Sequence, residues 1–224
     1  MLHRTNELLT RQRTMLINAI RAHMAEFGIV APTGVPQVKK LLRIIADADN
    51  ARLPSIARSC LESLARQFLS LHEEIGAAKQ QIHAWHLSNE VSCRLGTIPG
   101  LGPISSSAMA ASVSDPDVFK NGRELAAWIG LVPRQNSTGG KQRLGKISKQ
   151  GDQYLRWLLV VGAMSVIRQA KRRGTSNMPW LDDIIARKPA KVAAVALANK
   201  NARIIWALMK RGGTYQKPAT VPTA

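Results

Sequence analysis

The longest regular pattern of apolar positions in this chain runs from Leu61 to Trp85. Leu61, Leu64, Phe68, Leu71, Ile75, Ala78, Ile82 and Trp85 follow one another at alternating spacings of three and four. A seven-residue repeat held for more than three heptads predicts a long helix whose apolar seam winds left-handed against a partner helix. The partner can be a helix of the same chain or a second copy, and a repeat of this length favours the second copy. Pro54 can start the helix at its first turn, where a missing N–H costs nothing. Upstream, Leu9, Leu16, Ile20, Met24 and Phe27 recur near helical period, which predicts a helix from about Thr5 to Phe27 closed by Gly28. The stretch IVAPTGVPQ is a loop, and a shorter helix then carries Val38, Leu41, Leu42 and Ile45.

Beyond Val91 the elements shorten and glycine turns multiply. Thr97 to Pro103, TIPGLGP, opens into the small-residue helix ISSSAMAASV, and Asn121 can cap the helix GRELAAWIG. A long helix is predicted from about Asp152 to Arg173, with Leu155, Leu158, Leu159, Ala163 and Val166 inward. A last one, about Lys191 to Met209, is expected to bury Val192, Val195, Ile204, Ile205 and Leu208. The tail GGTYQKPATVPTA reads as disordered. The fold class is therefore mainly α. It divides into a helical connector (1–52), a coiled-coil helix (53–90), a compact helical domain (91–180), a C-terminal helical part (181–212) and a tail (213–224). Composition agrees, since apolar residues make up 45% and aromatics only 4% of the 224 residues, a balance that favours helices over a β-sandwich.

Charge narrows the function. Thirty-two Lys and Arg stand against fourteen Asp and Glu, a formal net charge of +18. Between residues 134 and 173 the cations are Arg134, Lys141, Arg143, Lys146, Lys149, Arg156, Arg168, Lys171, Arg172 and Arg173, against the single acid Asp152. No acid follows Asp183. This is the electrostatic footprint of a nucleic-acid binder. Lys171 to Arg173 weigh less, because cations at a helix C-terminus also satisfy its dipole. A membrane-surface role would need cations and large apolar groups on opposite faces of one segment, whereas these cations sit mostly in glycine-rich loops and at helix ends. No apolar run reaches eighteen residues and the N-terminus lacks a signal peptide, so a soluble, cytoplasmic protein with no membrane partner is expected. Cys60 and Cys93 are isolated, which argues against a disulfide scaffold and a zinc site. His83 and His86 lie one turn apart with no third ligand evident, and read as a solvated face beside the seam.

Two motifs carry candidate chemistry. PRQNSTGGKQRLGKISKQG, residues 133–151, sets Ser137 in a glycine-flanked turn followed by Lys141, Arg143, Lys146 and Lys149. A hydroxyl ringed by cations suits attack on, or close grip of, a phosphodiester: the cations attract the polyanion and stabilise charge developing on oxygen and phosphorus. The same residue types also build ordinary surface turns. Upstream, Gly100 and Gly102 of TIPGLGP stand at a helix start, where outward backbone N–H groups can cradle a phosphate. The arrangement resembles a helix-hairpin-helix element; a tight corner with no ligand is the plainer alternative. A Walker loop is excluded, because Gln135 stands where its first glycine is needed and Gln142 where its Ser or Thr is needed.

The succession IPGLGPISSSAMAA, ELAAWIGLVPRQNSTGGK and RLGKISKQGDQYLRWLL resembles the transposase domain of the RNA-guided serine transposases of bacterial insertion sequences. The similarity is to the IS110 group and, within it, the IS1111 branch. It runs from Thr97 to about Ala170, and the opening LHRTNELLTRQRTMLINAIRAHMAEFG resembles the region that follows the family's first domain. The resemblance implies a nucleophilic serine at Ser137, with Thr138 as the alternative position one residue on. It implies DNA as substrate and a guide RNA; the glycine turn and the cations make Gly100, Gly102, Lys141, Arg143, Lys146, Lys149 and Arg156 the candidate nucleic-acid contacts, and the heptad seam predicts a homo-oligomer joined through the coiled coil. Relatives begin with an acidic RuvC-like domain that binds divalent metal. The chain is expected to lack it, to carry no cofactor of its own, and to need magnesium held by that domain for catalysis. The alternative expectation is a non-catalytic nucleic-acid binder that dimerises with intact transposase and modulates it.

Overall fold

The computed structural model describes residues 1–136, 144–174 and 178–216, and among them the chain is mainly helical. It divides into two compact units, Met1–Ile82 and His83–Ala224. No helix among the described residues is long and apolar enough to cross a membrane.

The first unit is built from α1 (Leu2–Glu26), α2 (Val35–Ala46) and most of α3 (Ser55–Ser88). Its core joins Ile20 and Met24 of α1, Val38, Leu41 and Ile45 of α2, and Leu61 and Phe68 of α3. The α1 helix closes as its sequence indicates: Gly28 adopts φ +72°, and the Ile29 N–H returns to the Met24 carbonyl at 3.0 Å. Pro54 stands just before α3 rather than inside its first turn, and its carbonyl accepts the Arg58 N–H at 2.9 Å. Arg58 also fastens the α2–α3 turn, its guanidinium donating to the carbonyls of Ile45, Asp47 and Asn50.

The heptad seam is largely consumed inside the chain. Leu61, Phe68, Ile75 and Ile82, seven residues apart, are each at most 2% exposed. In the intervening series Leu64 and Leu71 are half-buried, Ala78 is buried and Trp85 is 38% exposed. Beside Leu71 lies an open groove of about 730 Å3, walled by Met15, Leu16 and Ala19 of α1 and Gln67 and Ser70 of α3.

The second unit holds α4 (Glu90–Leu95), α5 (Pro103–Ser112), α6 (Gly122–Trp128), a hairpin of β1 (Pro133–Gln135) and β2 (Leu144–Ile147), then α7 (Gln153–Arg173), α8 (Pro179–Arg187) and α9 (Ala190–Arg211). Asn121 caps α6 as expected, its side chain accepting the N–H groups of Arg123 and Glu124. Packing centres on α9, whose buried face is mostly alanine: Ala193, Ala194, Ala198 and Ala202, with Leu197 and Ile205. Small side chains let the neighbouring helices approach closely. Val192, expected inward, is 52% exposed, because the buried stripe runs through 193, 194, 197, 198, 201 and 205 and position 192 falls outside it.

Polar side chains of α9 hold distant turns. Asn201, 2% exposed, donates to the Pro99 carbonyl at 3.0 Å, and Asn199 donates to the Leu131 carbonyl at 3.2 Å. The Trp206 indole N–H reaches the carbonyls of Pro116 and Phe119, both at 3.1 Å.

His86 departs from the expected solvated face. It is 9% exposed, its Nδ1 lies 2.7 Å from Ser92 Oγ, and its carbonyl accepts the Cys93 thiol at 3.1 Å. The histidine thus pins the start of α4 to the end of α3, while His83 stays exposed. Burial, and secondarily His83, hold the His86 pKa below its ordinary value of 6.5. The folded chain therefore favours neutral imidazole. As pH falls below the unfolded value near 6.5, the unfolded chain binds the proton more readily and stability drops. The melting temperature is expected to fall between neutral and mildly acidic pH, and to fall less for His86→Asn. Equal pH slopes for the two proteins in calorimetry would contradict this.

Candidate nucleic-acid interface

The described residues on either side of the Ser137 segment pair as two short antiparallel strands. Pro133 pairs with Ile147 and Gln135 with Leu144, with an irregularity between Pro133 and Gln135. Ser137, Thr138, Lys141 and Arg143 lie outside the described residues. The described part ends at Asn136, one residue before the candidate nucleophile, and resumes at β2.

The base of the hairpin is locked backbone to backbone. At the end of α6 the Gly130 N–H returns to the Ala127 carbonyl (2.8 Å) and the Leu131 N–H to Ala126 (2.9 Å). The returning strand crosses the same place, with Ser148 N–H on the Val132 carbonyl (2.8 Å) and Lys149 N–H on the Gly130 carbonyl (3.2 Å). Gly130 has φ +82° and Gly151 φ +87°. A Cβ on Gly130 would lie 1.9 Å from the Gln150 carbonyl oxygen, and one on Gly151 1.8 Å from that of Trp128. Only glycine permits both the approach and the left-handed backbone. Lys149 shares that region at φ +57°, unusual for a side-chain-bearing residue.

Arg156 fastens this crossing. It sits in the first turn of α7, whose Asp152 cap accepts the Leu155 N–H at 2.9 Å. Its Nη1 donates to the carbonyls of Ile129 (2.9 Å) and Gln150 (3.3 Å), one on each leg of the hairpin. A residue singled out for nucleic-acid contact thus has a structural task as well. Arg134 adds a bond from Nη2 to the Ser148 carbonyl at 3.3 Å. Lys146 and Lys149 are exposed, and neither has an ion pair among the described residues.

The glycine turn before α5 is equally tight. Gly100, φ +90°, lies against α7, where a Cβ would meet the Gly162 carbonyl oxygen at 2.8 Å and Val166 Cγ2 at 3.1 Å. The Leu101 N–H is bonded to the Ile98 carbonyl at 3.0 Å and the Gly102 N–H to Ser105 Oγ at 2.9 Å, while Pro103 has none to offer. Gly102 itself is exposed. Close packing on α7 accounts for Gly100, and part of the expected phosphate cradle is bonded internally.

Among the described residues no three His, Cys, Asp or Glu side chains group to hold a metal ion. Four acids of this unit have other partners: Asp115 and Asp152 cap helices, Asp117 pairs with Lys210 at 2.8 Å, and Glu124 accepts the Lys120 N–H at 2.6 Å. Sequence reasoning misses Asn199 and Asn201 as anchors of the two turns. Their only signal is two amides in the otherwise apolar and basic run ALANKNARII.

Residues 92–177 match the family described as Transposase IS116/IS110/IS902. Over 216 residues, 96% of its length, the chain is 44% identical to a Pseudomonas aeruginosa protein named "Probable family 20 transposase", of which it covers 64%. It is 38% identical over 208 residues to the transposase for insertion sequence element IS1111A of Coxiella burnetii, covering 93% of this chain and 57% of that protein. It is 35% identical over 216 residues to the transposase for insertion sequence element IS1328 of Yersinia enterocolitica, covering 64% of that one. The chain is thus similar to insertion-sequence transposases, in residues 92–177 to those of the IS116/IS110/IS902 family, and spans about three fifths of the length of the proteins it matches.

Proposed function

From this similarity we propose that the chain carries the serine half of a DNA transposase, with Ser137, which lies in sequence between β1 and β2, as the nucleophile. The observation that carries the proposal is the locked hairpin base. Gly130, Gly151 and Arg156 fix where the two legs emerge, so a nucleophile between them is delivered from a rigid frame, and Arg134, Lys146 and Lys149 bring positive charge to its flanks. In-line attack by the serine oxygen on a DNA phosphorus would displace a deoxyribose oxygen and conserve the ester as phosphoserine. Divalent metal, a guide RNA and a second copy of the chain remain parts of the proposal. The metal would be held by an acidic domain, while the residues of this chain supply the attacking oxygen and the grip on phosphate.

The experiment is a salt titration of DNA binding. The wild-type chain is expected to bind with little sequence preference and a steep loss of affinity with salt. The combined substitution of Lys141, Arg143, Lys146 and Lys149 by Gln should flatten the slope by about 0.9 for each phosphate no longer neutralised. An unchanged slope would remove the hairpin as a binding surface.

Self-association is proposed at the groove beside Leu71, since Leu61, Phe68, Ile75 and Ile82 are already buried within the chain. Met15, 64% exposed on the groove wall, is the residue to change. Met15→Glu is expected to convert a dimer or larger species to monomer in sedimentation; a wild-type chain already monomeric at tens of micromolar, on the order of the weaker specific associations, would contradict it.

A further inference from the structure

The α6 and α9 helices enclose an open groove of about 400 Å3, lined by Gly122, Arg123, Arg203, Trp206, Ala207 and Arg211 together with the Asn121 cap. None of these residues belongs to the hairpin or its clamp. The groove exists because Gly122 lets the first turn of α6 rest on the α9 backbone: a Cβ there would lie 2.8 Å from Arg203 Cα and 2.9 Å from its carbonyl oxygen. That approach sets Arg123 beside Arg203. On α9, Arg203, Ala207 and Arg211 follow at four-residue steps on one face. The two arginines are two turns apart, about 12 Å along the axis, with only a methyl group between them.

The three arginines are exposed, and among the described residues none has a side-chain hydrogen bond or an ion pair. The neighbouring acids are engaged: Asp117 is paired with Lys210 at 2.8 Å, and Glu124 accepts the Lys120 N–H. Lys210 also lies over the Trp206 ring, 5.6 Å from its centre, and both indole N–H bonds of Trp206 go to the 116–119 turn. The indole is therefore a fixed wall, not a free platform for base stacking. Three guanidinium groups converging on one concavity repel each other unless an anion sits between them. Their spread over two helical turns suits a polyanion with repeated charges better than one small ion, and the planar guanidinium fork matches phosphate oxygens.

We propose that this groove is a second phosphodiester-binding site, gripping a nucleic-acid backbone independently of the serine hairpin. The proposal rests on the nucleic-acid reading above and adds a place where the backbone is held.

The test compares the full chain with Arg203→Gln/Arg211→Gln and with Arg203→Lys/Arg211→Lys, titrating mixed-sequence DNA and RNA duplexes of equal length across a range of salt. The Gln pair is expected to bind at least one of them more weakly, with its salt slope reduced by about 1.8, or about 0.9 for each phosphate. The Lys pair, which keeps the charge, should retain most of the slope. A loss confined to DNA assigns the groove to DNA, a loss confined to RNA assigns it to RNA, and a loss on both assigns it to either backbone. Wild-type slopes for the Gln pair on both duplexes would overturn the site, as would equal losses for the Lys and Gln pairs. If the hairpin quadruple variant alone changes the slope, the groove falls while the transposase reading stands. If the wild-type chain shows no salt-dependent binding, the nucleic-acid reading falls first.

Discussion

Ser137→Ala is expected to abolish strand cleavage and the covalent protein–DNA adduct in a reaction restored with an acidic metal-binding domain and guide RNA. The physical reason is that no neighbouring group replaces a missing attacking oxygen. Binding is expected to change little, because one hydroxyl contributes little beside the formal charge of +18. The loss should therefore appear in the chemical step, by several orders of magnitude, with DNA affinity unchanged. Thr138→Ala should reduce activity only partly, since a secondary hydroxyl is more hindered toward in-line attack and is the weaker candidate. Mapping the adduct after denaturation and proteolysis settles the matter. DNA carried on Thr138, or full cleavage by Ser137→Ala, would falsify the assignment.

The second large effect is expected at the hairpin base. Gly151→Ala places a methyl group 1.8 Å from the Trp128 carbonyl oxygen at a position with φ +87°. Backbone must move, because the obstructing atom is itself backbone. Left-handed strain of about 1 kcal/mol and overpacking of about 1–3 kcal/mol together predict a loss of about 2–4 kcal/mol. That is a large part of the stability of an ordinary domain. Chemical denaturation should show a lower midpoint, and cleavage should fall further than nucleic-acid affinity, because the cations survive while their frame shifts. A variant as stable as the wild type, with full cleavage, would show that the crossing is not what fixes the loop.

Helices are legible where the apolar period is long. The heptad positions of α3, the Asn121 cap of α6 and the Asp152 start of α7 all read directly from residue order, because each depends on neighbours within a turn or two. The hairpin is not legible. Its strands, PRQ and LGKI, are too short to show alternation, and pairing joins residues whose partners lie across an intervening loop. The seam reads correctly as a seam, but its occupant depends on where α1 and α2 pack, which spacing along α3 does not encode. His86 misleads for a related reason: its burial comes from Ser92 and Cys93, on a helix too short to be recognised from its pattern. At the candidate site, the glycines and cations are visible as a motif. The dual use of Arg156, and the packing rather than ligand-binding role of Gly100, require knowing that α7 packs against both.

The bonds made by α9 fix an order of events during synthesis. Asn199, Asn201 and Trp206 reach back to partners 68, 102 and 87 to 90 residues earlier in the chain. Everything they anchor, the turn before α5, the turn before α6 and the root of the hairpin, is made first and must wait. A ribosome that stops short of α9 would release chains that hold the hairpin and its Arg156 clamp but lack the side chains that tie these turns to the rest of the unit. That delay leaves the second unit without the helix its core packs around until α9 has been translated.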